Sequence, residues 1–286
     1  MTEKRSARYK SVLIVALLVI LVAVILCAGC TGENGTSAHA RTLQVSGSTT
    51  VLPIAQLTGE AFMAENPGVD IQVNGGGSSV GIQAVGGGTV DIGMASRDLK
   101  DSEKEAYPDL VKHVVALDGI VIIVNPENSL GGLTLDEVRG IYNGTYRNWN
   151  DLGGPDLEIV VTGRDSASGT REFFHEAVMK KEDFVETQLE KNSNGAVKQT
   201  VAQTPGAIGY VGLGYIDASV KALPIDAGSG PVEPTIENIE DGTYPLAREL
   251  FMFTRGEPTG LAAEYLSFIS SPEGQQIIRD EGFVPA

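Results

Sequence analysis

The 286-residue sequence predicts an α/β fold in two lobes, and three observations predict it. Strand-like and helix-like stretches alternate from Leu43 onward, the pattern of helices layered on a largely parallel sheet. Three strand-to-helix turns carry glycine together with paired hydroxyls. One apolar run, 114–124, is too long for an ordinary buried strand and is interrupted by Asp118-Gly119, so it reads as a strand passing from one lobe to the other.

Taken in order, a short strand at 43–45 leads into a helix over 53–66, whose proline suits a first helical turn. A strand at 69–73, a helix over 79–86, a strand at 91–95 and a helix near 101–107 follow, and then the crossing run. The middle third repeats the pattern: a helix over 135–142 capped by Thr134, a strand at 158–162 and a helix from Arg171. Helical patterns are read at 184–191 and 197–203, and an apolar, glycine-rich stretch at 206–212. Segments 222–225 and 231–237 read as the return crossing, 248–253 as a strand, and 261–269 and 272–279 as helices completing the first lobe. The expected boundaries are 42–122 and 225–286 for the first lobe and 123–224 for the inserted second one, with a cleft between them.

The turns carry the chemistry. In Gly163-Arg164-Asp165-Ser166-Ala167-Ser168-Gly169-Thr170 a fixed cation, a carboxylate and hydroxyls surround a glycine just before a helix. A helix start has unpaired N–H groups and the positive end of the dipole, which suit a small oxyanion. Any one such turn could be an ordinary serine or threonine cap. Ser46-Gly47-Ser48-Thr49-Thr50 and Gly75-Gly76-Gly77-Ser78-Ser79 repeat it, and three together suggest helix starts converging on one anion.

The chain begins with Lys4, Arg5, Arg8 and Lys10, then an apolar run over 12–28, then small residues ending at Cys30. This is the plan of an export signal over 1–29, with Cys30 placed as a lipid attachment point and 30–41 as a tether; an uncleaved membrane anchor is the rival reading. Either way the folded part is expected on the extracytoplasmic face of the membrane. Both cysteines, Cys27 and Cys30, lie in this leader, so no disulfide is expected in the folded part. Formal charge is −16, and without residues 1–29 it is −19, from 17 basic against 36 acidic residues. That balance argues against nucleic acid as a partner, but a buried anion seat answers to local donors rather than to distant screened charge.

Other chemistries find little support. The glycine-rich stretch 75–81 lacks the third glycine of a dinucleotide fingerprint and the lysine of a phosphate loop. Ser48, Ser78 and Ser168 sit at turns that a serine hydrolase could use, but the histidines are only His39, His113 and His175, and no Gly-x-Ser-x-Gly occurs. No metal-ligand spacing is present, and no cofactor, metal or catalytic residue is expected.

Six segments in order carry a family resemblance: Ser46–Thr50, Gly77–Gly81, Val90–Arg97, Asn148–Leu152, Gly163–Thr170 and Gly206–Val211. The chain resembles the phosphate-binding lipoproteins of high-affinity ABC phosphate importers. The resemblance implies a two-lobed clamshell of the class II periplasmic-binding-protein type, holding inorganic phosphate in its cleft and delivering it, as a monomer on a lipid anchor, to an ABC permease. It implies ligand roles for Thr49, Thr50 and Ser78, for Arg164 as the cationic fork, and for Ser168, Gly169 and Thr170 as donors from the second lobe; Ser48, in the same first turn, is read as a ligand beside them. Two positions depart: Ser96, followed by Arg97, and Ser166 stand where well-known members have aspartates. The first of those aspartates accepts the proton of hydrogen phosphate. Asp165 is the carboxylate left beside the seat, either to take that role or to orient Arg164, while Arg97 would add positive charge. Sulfate or another tetrahedral oxyanion is the alternative ligand.

Overall fold

A computed structural model describes residues 41–286. The export signal, Cys30 and most of the tether lie outside the described residues. The first half of the chain folds as β1 (Arg41–Gly47), α1 (Leu52–Glu65), β2 (Val69–Gly75), α2 (Ser78–Gly86), β3 (Ile92–Ala95), α3 (Asp101–Ala106) and β4 (Leu110–Val124). It continues through β5 (Leu133–Thr134), α4 (Leu135–Tyr142), β6 (Val160–Arg164), α5 (Gly169–Ala177), β7 (Leu189–Lys191), α6 (Asn194–Gln203) and β8 (Ala207–Gly212). The last part is β9 (Lys221–Leu223), β10 (Ile225–Asp226), β11 (Pro231–Val232), α7 (Ile236–Glu240), β12 (Ala247–Arg255), α8 (Gly260–Ile269), α9 (Pro272–Asp280) and β13 (Val284–Pro285).

The main sheet runs β2-β1-β3-β12-β4-β8-β6-β7, with β9 and β13 also on β4. β4 is the crossing strand that the apolar run predicts. Its first part pairs antiparallel with β12 as far as Gly119, and from Ile120 onward it pairs with β8. Ile120 to Val124 are fully buried, consistent with a run of branched apolar residues covered on both faces. Gly119 sits at the change of partner and is tightly packed, since a Cβ there would stand 2.5 Å from Ile239 Cδ1. The sheet is mixed rather than largely parallel, because β12 runs antiparallel to both β3 and β4 and β4 antiparallel to β8, so that β12 and β4 together separate the two parallel groups.

Two cores flank this strand. Val45, Ile54, Phe62, Met94, Tyr265 and Ile278 form one, between β1, β3 and helices α1, α8 and α9. Ile122, Tyr142, Trp149, Phe174 and Tyr210 belong to the other, where Phe174 stacks on Tyr210 with ring centroids 4.1 Å apart. Trp149 is wholly buried and its indole N–H donates to the Gly206 carbonyl at 3.0 Å. Thr134 caps α4 as expected, accepting from the Glu137 N–H while Glu137 reaches back to the Thr134 N–H.

Two expectations change. The pattern at 184–191 is not a helix: Leu189–Lys191 form β7, which extends the sheet parallel to β6, so backbone pairing overrides a weak polar helical pattern. The segment after 224 does not return at once, since β10 pairs with β5 and with β11.

Candidate functional site

The three hydroxyl turns are brought together by the strands that feed them. β1 and β3 are neighbours, so the turn after Gly47 lies against Met94; Gly47 has φ +140°, and a Cβ on it would stand 2.2 Å from the Met94 carbonyl oxygen. Gly77, at φ +99°, precedes α2, and the Ser79 N–H donates to the Ala167 carbonyl at 3.1 Å. Thus the starts of α2 and α5 touch through their backbones. Gly169 allows this approach, because a Cβ there would lie 2.3 Å from Ser78 Oγ. Ser168 caps α5 by accepting from the Arg171 N–H at 3.2 Å, which leaves the first N–H groups of that helix for another acceptor.

Hydroxyls fill the space between these turns. Ser48, Thr49, Thr50, Ser78, Ser96, Ser168 and Thr170 are all buried. Thr50 Oγ1 lies 3.0 Å from Thr170 Oγ1. Ser78 Oγ accepts from the Ser96 N–H at 3.0 Å and lies 3.3 Å from Ser96 Oγ. Asn194, at the start of α6, donates from Nδ2 to both Thr49 and Thr50, and the Tyr215 hydroxyl donates to the Thr49 carbonyl.

Two guanidiniums are buried beside the hydroxyls. Arg164, 1% exposed at the end of β6, makes no ion pair among the described residues. It donates to the carbonyls of Lys191 at 3.2 Å and Asn192 at 3.3 Å, and burial pulls its pKa down because the cation has lost water. The orienting role for Asp165 is therefore taken by these carbonyls. Asp165 Oδ1 is buried with no hydrogen-bond partner. The second guanidinium is Arg248 of β12, opposite Asp118 of β4 in the sheet register. It donates to Asp118 Oδ2 from Nε at 3.1 Å and Nη2 at 2.8 Å, to the Ser96 carbonyl at 3.0 Å and to Thr170 Oγ1 at 3.0 Å. Asp118 also accepts the Leu213 N–H; burial pushes its pKa up while Arg248 opposes the rise.

Arg97 does not add free charge to the site. Its two terminal nitrogens donate to the Glu103 carboxylate at 2.7 and 2.8 Å, and Nε sits 2.8 Å from Glu172, within ion-pair range but off the hydrogen-bond direction. Two carboxylates neutralise it within the protein. The two described histidines do not serve the serines either: His113 pairs with Thr254 and His175 with the Glu182 carbonyl.

The structure therefore gathers Thr49, Thr50, Ser78, Ser96, Ser168, Gly169 and Thr170 around one place, with Ser48 supporting the first turn by accepting the Thr50 N–H. Sequence reasoning missed Arg248, Asp118 and Asn194 as parts of it. The available signal was Asp118, a lone charge in the apolar crossing run, together with an arginine, Arg248, at the head of the apolar strand Leu250-Phe251-Met252-Phe253.

A family profile described as a PBP superfamily domain, PBP-like 2, matches residues 32–273. The phosphate-binding protein PstS of Bacillus subtilis is 38% identical over 245 residues, 85% of this chain and 80% of the relative. That of Pseudomonas aeruginosa PAO1 is 33% identical over 262 residues, covering 84% and 81%. Among solved structures, a putative phosphate ABC transporter substrate-binding protein with bound phosphate from Clostridium perfringens matches at 38% identity and TM-score 0.81, over 86% of this chain and all of that one. An ABC-type phosphate transport receptor from Vibrio cholerae matches at 32% identity and TM-score 0.70, over 85% of this chain and all of that one.

Proposed function

From the premise that this chain belongs to the PBP superfamily, among its phosphate-binding proteins, we propose that it is an extracytoplasmic receptor that binds inorganic phosphate and delivers it to an ABC permease. The observation that carries the reading is Arg164, a desolvated cation without a carboxylate partner beside buried hydroxyls and helix starts. Burying such a charge is costly unless an anion completes it, and a tetrahedral oxyanion fits a planar fork and converging N–H donors. The proposed ligands are Thr49, Ser78, Arg164, Ser168, Gly169 and Thr170, with Thr50 holding Thr170 in place and Ser96 and Asp165 at the border. Binding without turnover is the reading that the relatives support, since those that the chain matches are named phosphate-binding proteins.

The lobes proposed are those meeting at this site, joined through β4, with β10 kept in the second lobe by its pairing to β5 and β11 by its pairing to β10. The protein acts as a monomer, and the leader supplies its lipid anchor through Cys30. Micromolar or tighter affinity, about −8 kcal/mol, is within reach of several charge-assisted hydrogen bonds after ordering losses.

Calorimetric titration with phosphate, and competition by sulfate, arsenate and molybdate, tests the reading; no saturable phosphate binding overturns it. Arg164→Ala is expected to cost about 2 to 4 kcal/mol of binding, and Arg164→Lys to recover only part, since a point charge lacks the fork. Normal phosphate affinity in the alanine variant would make Arg164 a structural charge.

A further inference from the structure

The hydroxyls beside Arg248 have a proton order fixed by groups that can only donate. Asn194 sets one end. Its Oδ1 accepts the Gly212 N–H at 3.3 Å, and a backbone amide cannot accept, so the side-chain amide is turned with Nδ2 toward the threonines. From there Nδ2 donates to Thr49 Oγ1 at 3.1 Å and to Thr50 Oγ1 at 3.0 Å. Arg248 sets the other end, anchored by Asp118 and the Ser96 carbonyl, with Nη2 3.0 Å from Thr170 Oγ1 and 3.4 Å from Thr50 Oγ1.

A threonine hydroxyl has two acceptor lone pairs and one proton. Thr50 has both lone pairs engaged, by Asn194 and Arg248, so its proton goes to Thr170 Oγ1 at 3.0 Å. Thr170 then accepts from Thr50 and Arg248, and its own proton is left over to donate. Thr49 accepts from both the backbone N–H and Nδ2 of Asn194, which leaves its proton free in the same way.

We infer that Asn194 and Arg248 are positioning residues that lock Thr49, Thr50 and Thr170 into a one-way donor chain, so that this side of the site gives hydrogen bonds to an oxyanion and accepts none from it. The inference rests on the phosphate reading above and adds to it a rule of specificity. An oxygen that carries a proton is a weaker acceptor at the Thr170 end and finds no free lone pair there for its own proton. The single proton of hydrogen phosphate must then turn toward Ser78, Ser96 or Asp165, and dihydrogen phosphate, with two, binds worse.

The test is phosphate titration of the full chain across the second ionisation of inorganic phosphate. The unsubstituted protein is expected to bind more tightly as pH rises through that ionisation. Asn194→Leu should weaken binding about tenfold or more and flatten the rise, because freed hydroxyls can turn and accept. A variant weakened by the same factor at every pH, or not weakened, overturns the inference while leaving the phosphate reading intact. No phosphate binding by the unsubstituted protein at any pH overturns both. Should Asn194→Leu not fold, Thr170→Ser and Thr170→Val decide: serine, which retains the donor hydroxyl, should bind about tenfold or more tightly than valine and show the steeper rise with pH, and equal behaviour of the two overturns the donor chain.

Discussion

Asp165 borders Arg164 yet neither pairs with it nor fills the lone pairs of its own Oδ1, which is buried without a partner. A carboxylate oxygen in that state is suited to accept the proton of a ligand and to repel an anion that has none. Asp165→Asn is therefore expected to keep the turn and relax the rejection of sulfate, since an amide does not repel an anion as a carboxylate does. Paired phosphate and sulfate titrations check it; an unchanged affinity ratio removes Asp165 as the discriminator and leaves Ser78 and Ser96 to select. At this scale the sequence disclosed what is contiguous. Arg164, Ser168, Gly169 and Thr170 fall in one turn, and a hydroxyl-rich helix start is recognisable by itself. Arg248 and Asn194 were invisible because their roles depend on partners in other elements: Arg248 needs Asp118 across the sheet, and Asn194 needs Thr49 and Thr50. Arg97 was misjudged for the same reason, since a lone arginine in a motif does not reveal that Glu103 and Glu172 close around it.

Among the elements, α3 has none of its residues buried, and its place is held by polar contacts. Glu103 accepts from Arg97 and from the Lys100 N–H. Burial alone would raise its pKa, but these hydrogen bonds and the nearby cations outweigh burial and hold it below the ordinary value of 4.5. A carboxyl depressed in the folded state contributes stability above its unfolded pKa and loses it as pH falls through the folded value. Denaturant midpoints measured against pH should therefore fall more steeply below 4.5 in the unsubstituted protein than in Glu103→Gln. Parallel profiles would show the pair to be energetically silent. Element prediction succeeded where period and cap agreed, as in α4 with its Thr134 box, and failed at Leu189–Lys191. A three-residue edge strand has too few residues to show alternation, and its pairing with β6 is a tertiary event.

For the molecule as a whole, Glu172 of α5 is the charged clasp at the rim: Arg97 Nε and Lys100 Nζ both lie within 2.9 Å of its Oε2. Glu172→Gln is expected to speed phosphate release about threefold to tenfold at low salt, with the difference shrinking at high salt because the groups are only partly buried. Stopped-flow release at two ionic strengths measures it, and identical rates would assign closure to the hydroxyl contacts alone. The two-lobed plan was legible because the crossing strand is a continuous apolar run with one polar break; the order of the sheet was not, because nothing local says that β12 will insert between β3 and β4. That insertion governs how the chain reaches its fold. Leu250 pairs with Ala116 and Phe251 with Ala95, so the early strands wait for a partner made only near the end of synthesis. Pairings so distant in sequence close slowly and late. A newly made chain thus leaves the facing edges of β3 and β4 without their shared partner until β12 is synthesised, so the sheet cannot close from the N-terminal strands alone.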